Sequence, residues 1–276
     1  MNDKTKLLPV KSDFIFKLIF GDQRNTDILT GFLKSVLDIP EEEYDYLTVI
    51  DPHLKKESLT DKYAILDVKV HTKSGGIIQV EIQVAPIPDM IPRVIYGQSK
   101  MVTEQMASGD NWGIIKRVIS IIITDFTLVP GNGKYHNQFR YRSMDGTEFT
   151  KLMEIDTLEL EKIPLETDGT ELWPWVKFIK SDSEEALDVI AEKNPQIKKA
   201  VGVLKELSAD ERTRMLYEER EKTRRDLQSR IDGARNEQSI LIAKNAINMN
   251  MNTDIIIKLT GLTREVIESL QTESAV

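Results

Sequence analysis

Asp67, Glu81 and Gln83 fall within one stretch, YAILDVKVHTKSGGIIQVEIQV, from Tyr63 to Val84. Two β-branched runs flank a glycine-bearing turn there, the pattern of a hairpin. Side chains alternate across a strand. Ile65, Asp67 and Lys69 therefore share one face of the first run, and Leu66, Val68 and Val70 the other. In the second run Gln79, Glu81 and Gln83 oppose Ile78, Val80 and Ile82. A three-residue loop, Lys73-Ser74-Gly75, pairs Thr72 with Gly76 and sets Asp67 opposite Glu81 and Lys69 opposite Gln79. Such loops end in a left-handed residue, which Gly75 supplies. A two-residue loop would put the acids on opposite faces.

Facing carboxylates repel across a ladder. A hard divalent cation between them removes that cost. Mg²⁺ suits one or two carboxylates while keeping several waters, and such an ion can polarise a phosphoryl oxygen. Taken alone, the pattern more readily describes an amphipathic hairpin with a solvated polar face. His53, His71 and His136 are scattered and there is no cysteine, so a metal here would have oxygen ligands.

The elements around the hairpin are legible. KSDFIFKLIFG reads as a helix with Ser12 as N-cap and Gly21 as stop, and Phe14, Ile15, Leu18 and Ile19 at helical spacing. A second helix is predicted from Thr26 to about Leu37, then a short strand, Leu47 to Ile50. The prolines of APIPDMIP break the sheet before a helix from about Pro92 to Ala107. RVISIIITDF reads as a strand buried on both faces, and NQFRYRS and LELEKI as later, shorter strands. This order predicts an α/β fold, a sheet covered by helices. Residues 183–231 read as helical throughout, and within them residues 208–230, SADERTRMLYEEREKTRRDLQSR, are highly charged and poor in apolar anchors. They fit a solvated arm or coiled coil, with a nucleic-acid contact as the alternative. The end reads as helix, turn, short helix, Gly261, short helix, with Thr253 and Thr263 as N-cap candidates.

The chain has 276 residues, 40% hydrophobic and 30% charged, with a formal net charge of −8. That charge disfavours a simple nucleic-acid coat, although residues 193–235 carry 12 Lys and Arg against 8 Asp and Glu. No apolar run approaches the roughly 18 residues of a membrane span. The first residues lack the apolar core of a signal peptide. Together with the absence of cysteine, these features fit a cytoplasmic protein with no membrane partner.

Several ordered motifs carry a resemblance: SDFIFKLIFG, ILDVKV, VEIQV, a helix with Arg93 and Tyr96, VISIIITDF, and the tail IAKNAINMN…DIIIKLTGLTREVIESL. The chain resembles the recombination-promoting nucleases, PD-(D/E)XK family transposases. The resemblance implies a restriction-endonuclease-like mixed central sheet flanked by helices, with an all-helical C-terminal extension. It divides the chain into a nuclease-like domain, 1–180, and a helical extension, 181–276, with a helix-turn-helix-like tail. It implies a Mg²⁺- or Mn²⁺-dependent DNA endonuclease linked to recombination, mobile elements or DNA defence. Asp67 and Glu81 would bind the metal. Gln83 stands where the broader superfamily has lysine. Glutamine orients by hydrogen bonding but brings no charge, and Lys69 or Lys62 would have to supply it. Asp13 matches an acidic residue on the first helix; a first-turn acid favoured by the helix dipole explains it equally. Arg93 contacts phosphate or pairs with an acid inside the fold.

Two competing readings stand beside this one. The first is a catalytically weak nuclease-fold DNA-binding or recombination accessory protein, suggested by Gln83. The second is a helical oligomerisation or regulatory protein. In the tail, the last helix would present Thr263, Arg264 and Glu268 to a DNA groove. One arginine makes a poor reading surface, so packing or homodimerisation is the equal alternative.

Overall fold

In the computed structural model, residues 6–45, 47–50, 68–181, 183–192 and 194–274 are described. The chain divides into two compact units, Met1–Tyr217 and Glu218–Val276.

The first unit is built on a sheet that has six strands among the described residues: β1 (Thr48–Ile50), β2 (Val68–His71), β3 (Ile77–Gln83), β4 (Val118–Thr124), β5 (His136–Arg142) and β6 (Glu148–Glu159). Their spatial order is β1-β2-β3-β4-β6-β5. β3 runs parallel to β4, and β4 parallel to β6; the other pairs are antiparallel. This is the mixed, helix-flanked sheet of the restriction-endonuclease-like α/β class. Helix α3 (Met90–Thr103) lies between β3 and β4 in the chain, the crossover that parallel neighbours require.

One face of the sheet carries Ile78, Val80 and Ile82 of β3 and Ile119, Ile121 and Ile123 of β4, all in the main core. Helices α1 (Asp13–Phe20), α2 (Thr26–Val36) and α4 (Leu172–Lys180) add their buried faces to it. Phe16 and Phe20 stack at 4.5 Å, and Trp175 stands 6.1 Å from Phe20 and 6.0 Å from Phe32. Such aromatic pairs contribute about 1 kcal/mol each beyond the area they bury. α1 ends at Gly21, as the sequence predicts, but for lack of space: φ is −95°, and a Cβ there would meet the Lys17 carbonyl at 2.7 Å.

Helices α5 (Glu184–Ala191) and α6 (Pro195–Ala209) also belong to this unit. Leu187, Ile190, Ile197, Ala200 and Leu204 enter the same core. α6 starts on Asn194, whose side-chain oxygen accepts from Gln196 N–H at 2.9 Å and Ile197 N–H at 3.0 Å.

Several elements differ from the sequence reading. LELEKI is not a strand of its own. β6 spans Glu148–Glu159, takes in only the first two residues of that stretch, and gives way to a 3₁₀ turn at Leu160–Lys162. Buried Glu154 and Asp156 disguise β6 as a surface segment. Helix α3 starts at Met90 and ends at Thr103, earlier at both ends than predicted. Its first residue follows Asp89, which takes a left-handed φ of 57°.

The second unit holds the remainder of α7 (Glu211–Asn248), together with α8 (Thr253–Thr260) and α9 (Arg264–Ser274). Ala243, Ala246, Ile256, Ile267 and Leu270 form its small core. Thr253 is the first residue of α8 rather than its cap; Asn252 is the cap, accepting from Asp254 N–H at 2.8 Å. Gly261 ends α8 at φ 70°. Arg264 is paired with Asp254. No described helix is long and apolar enough to cross a membrane.

Candidate active site

The β2–β3 turn adopts the three-residue loop that the sequence predicts. Thr72 N–H donates to Gly76 O at 2.8 Å, and Gly75 N–H donates to Thr72 O at 2.9 Å. Gly75 has φ 86°, where a side chain would be strained. The ladder then pairs His71 with Ile77, Val70 with Ile78, Lys69 with Gln79 and Val68 with Val80. Lys69 and Gln79 are thus opposite one another, as expected. Asp67 and Lys62 lie outside the described residues.

The acidic turn before β1 clamps this loop. Glu43 Oε2 accepts from Ser74 Oγ at 2.8 Å and from Ser74 N–H at 3.2 Å. Lys73 N–H donates to Glu43 O at 3.2 Å, and Lys73 Nζ pairs with Asp45 at 3.0 Å. Hydrogen bonding from Thr72 lowers the Glu43 pKa, with further help from Ser74 and the Lys73 charge and with burial opposing.

Glu81 occupies the sheet face opposite the main core, between Gln79 and Gln83. Its parallel neighbours in register are Ser120, Ile122 and Thr124 of β4, opposite Gln79, Glu81 and Gln83. Helix α3 covers this face by seating Met90 and Val94 on Ile122. Arg93, one residue before Val94, reaches β3: its Nη2 donates to Glu81 Oε1 at 3.0 Å. The Glu81 side chain is 9% exposed and that of Arg93 37%. Of the two roles open to Arg93, the internal pair is the one observed. Tyr96, by contrast, is exposed.

Gln83 Nε2 donates to Ala85 O at 3.2 Å, and Gln83 O accepts from Asp125 N–H at 3.1 Å. Asp13 opens α1; its Oδ1 accepts from Phe14 N–H at 2.7 Å, in the first turn where an acid meets the positive end of the helix dipole. Lys69 is half-buried.

Two features escape sequence reasoning. Lys11 pairs with Asp125 at 2.6 Å, placing a cation just past the end of β4, on the residue whose N–H donates to the Gln83 carbonyl. The pair spans 114 positions, and its only sequence signal is that both residues flank recognisable motifs. Glu159 is a fully buried acid next to Thr124 in the ladder. It accepts from Leu128 N–H at 2.9 Å and Asn137 Nδ2 at 3.3 Å, and pairs with Lys162 at 2.8 Å. Its lone pairs fasten a loop, which removes it from the pool of metal ligands.

Among the described residues no cluster of three or more His, Cys, Asp or Glu could hold a metal ion. Glu81, however, is an oxygen donor largely withdrawn from water that already sits against a cation, the Arg93 guanidinium. Its chemistry suits a hard divalent ion.

A mixed sheet of this order, with an acid and an amide side by side on one face of β3, an inner strand of a register-locked hairpin, defines a nuclease-type α/β protein. The family model of the PD-(D/E)XK nuclease family transposases matches residues 10–234, and the chain belongs to that family. The match spans both α1 and the β2–β3 hairpin. No curated protein and no solved structure matches the chain.

Proposed function

We propose that this chain is a Mg²⁺- or Mn²⁺-dependent DNA endonuclease acting in the cytoplasm in recombination, mobile-element movement or DNA defence. The observation that carries the reading is the hairpin register ending at Val68–Val80. Continued one residue further, that register would set Asp67 against Glu81, the pairing expected from the loop parity. The two carboxylates would hold the ion between β2 and β3, and their mutual repulsion favours its capture. When bound, the ion supplies Lewis-acid polarisation of a phosphoryl oxygen and eases deprotonation of a water.

The chain's own residues do the rest. Gln83 lies two residues beyond Glu81 on the same face and orients a water or a phosphate oxygen through its amide. Lys69, across the ladder from Gln79, brings the positive charge that glutamine lacks. Asp13 is the remaining acid proposed for this site, at the first turn of α1.

The test is cleavage of plasmid DNA with Mg²⁺ or Mn²⁺, comparing wild type with Asp67→Ala and Glu81→Gln. The reading expects nicking that both substitutions abolish, and Ca²⁺ that permits binding while supporting cleavage poorly. Equal nicking by all three proteins would sink it. One observation favours a second reading, a DNA-binding accessory protein with little catalysis: the Gln83 amide is already engaged by Ala85. DNA binding without cleavage by wild type would select it.

A further inference from the structure

Arg93 and a bound cation make competing claims on the same carboxylate. A charge as buried as that of Glu81 needs a counter-ion, and Arg93 provides one at 3.0 Å. The Arg93 side chain does not share the carboxylate's burial, since 37% of it faces solvent. Its backbone is fixed because Met90 and Val94 are buried on the sheet at either side of it. The side chain can therefore change partner without moving the helix.

We infer that Arg93 is a displaceable counter-ion, released from Glu81 by the incoming cation and taken up by a DNA phosphate. This inference rests on the metal-site reading of Glu81 above. A divalent ion on Glu81 repels a guanidinium at hydrogen-bond distance, so one must leave. The freed group carries five N–H donors in a planar fork, the geometry that binds phosphate bidentately. Metal and DNA then favour one another, and the coupling is reciprocal. Without metal, Arg93 stays on Glu81 and the phosphate contact is absent.

The prediction has opposite signs for the two ligands. Arg93→Gln removes the competitor, so Mn²⁺ should bind the free protein about tenfold more tightly. It also removes the phosphate contact, so duplex DNA in Ca²⁺ should bind about tenfold more weakly. Arg93→Lys keeps the charge but loses the fork; Mn²⁺ affinity should stay near that of wild type while DNA binding falls severalfold. Calorimetry with Mn²⁺ and fluorescence anisotropy with a DNA duplex read both, after melting curves have established which variants are folded.

Unchanged or weaker Mn²⁺ binding by a folded Arg93→Gln would overturn the inference, leaving Arg93 a structural partner of Glu81. If that variant does not fold, undiminished DNA binding by Arg93→Lys overturns it instead. Glu81→Gln separates the two levels. If wild type binds no Mn²⁺ that Glu81→Gln removes, the metal-site reading itself fails. If it does bind such Mn²⁺ and Arg93→Gln gains nothing, only the role given to Arg93 fails.

Discussion

Glu43 holds Ser74 by two hydrogen bonds across 31 residues of sequence, from the hydroxyl at 2.8 Å and from the backbone N–H at 3.2 Å. The contact ties the turn that sets the β2–β3 register to the acidic segment before β1. Glu43→Ala should therefore loosen the hairpin end nearest the turn. Bonds to a charged acceptor give roughly 1.5–3 kcal/mol. Partial exposure reduces this to about 1 kcal/mol. The Glu43 pKa lies below its ordinary value of 4.5, chiefly through hydrogen bonding from Thr72. A depressed carboxyl stabilises the fold above its unfolded pKa and loses that contribution as pH falls through the folded value. Urea unfolding should show the Glu43→Ala deficit at pH 7 and a smaller deficit near pH 3.

Loop length matters more than loop composition. Gly75→Ala makes only an ordinary van der Waals contact, with Lys116 Cγ at 3.7 Å, so its cost is the strain of φ 86°. That is about 1–2 kcal/mol, with the register intact. Deleting Ser74 leaves a two-residue connection and shifts the pairing parity, turning one strand's polar residues to the opposite face. Gly75→Ala should retain Mn²⁺ binding in calorimetry, whereas the Ser74 deletion should lose it even if the protein remains folded.

On the core side of β6, Glu154 is 1% exposed and is paired with Arg140 at 2.8 Å and with Arg117. Burial pushes its pKa up, but hydrogen bonds from Arg140 and Arg117 outweigh burial and leave it lowered. Neighbouring Asp156 goes the other way. Burial raises it, the Glu154 charge adds to the rise, and its 2.8 Å bond with His136 only partly offsets it. Removing one member of such a buried pair costs about 3–5 kcal/mol, so Glu154→Gln should lower Tm by several degrees. The two acids also have opposite pH signatures. Stability from Glu154 is lost as pH falls through its folded value. Asp156 binds its proton more tightly when folded and so opposes stability as pH rises above its unfolded value. Asp156→Asn should gain stability relative to wild type between pH 4 and pH 7, measured by chemical denaturation at each pH.

These acids also mark where the sequence stops being legible. α1, β4 and the hairpin register are local: helical spacing, an unbroken β-branched run, and loop parity with a glycine at its third position. β6 is not. Glu154 and Asp156 alternate with apolar residues as they would on a half-solvated strand, and only Arg117, Arg140 and His136, brought in from other strands and their flanks, permit them to be buried. The candidate site divides in the same way. Alternation places Gln79, Glu81 and Gln83 on one face. The Arg93–Glu81 bond depends on how α3 is seated on Ile122, and the Lys11–Asp125 pair on how α1 meets the end of β4. Neither leaves a short-range pattern.

Two of the described lysines, Lys11 and Lys69, are not equivalent as sources of the charge that Gln83 cannot carry. Lys11 already serves Asp125 at 2.6 Å, beyond the end of β3. Lys69 projects from β2 on the strand face that carries Gln79, Glu81 and Gln83. A cation that meets charge developing on a phosphate is worth about 10²–10³ in rate. Lys69→Met should thus slow Mn²⁺-supported plasmid cleavage about a hundredfold. Its Mn²⁺ affinity should hold or rise slightly, because a nearby positive charge has been removed. Lys11→Met should change the rate less than threefold and instead lower Tm through the loss of the Asp125 pair. Full-rate cleavage by Lys69→Met, with Mn²⁺ binding intact, would show that the site cuts without a lysine on that face.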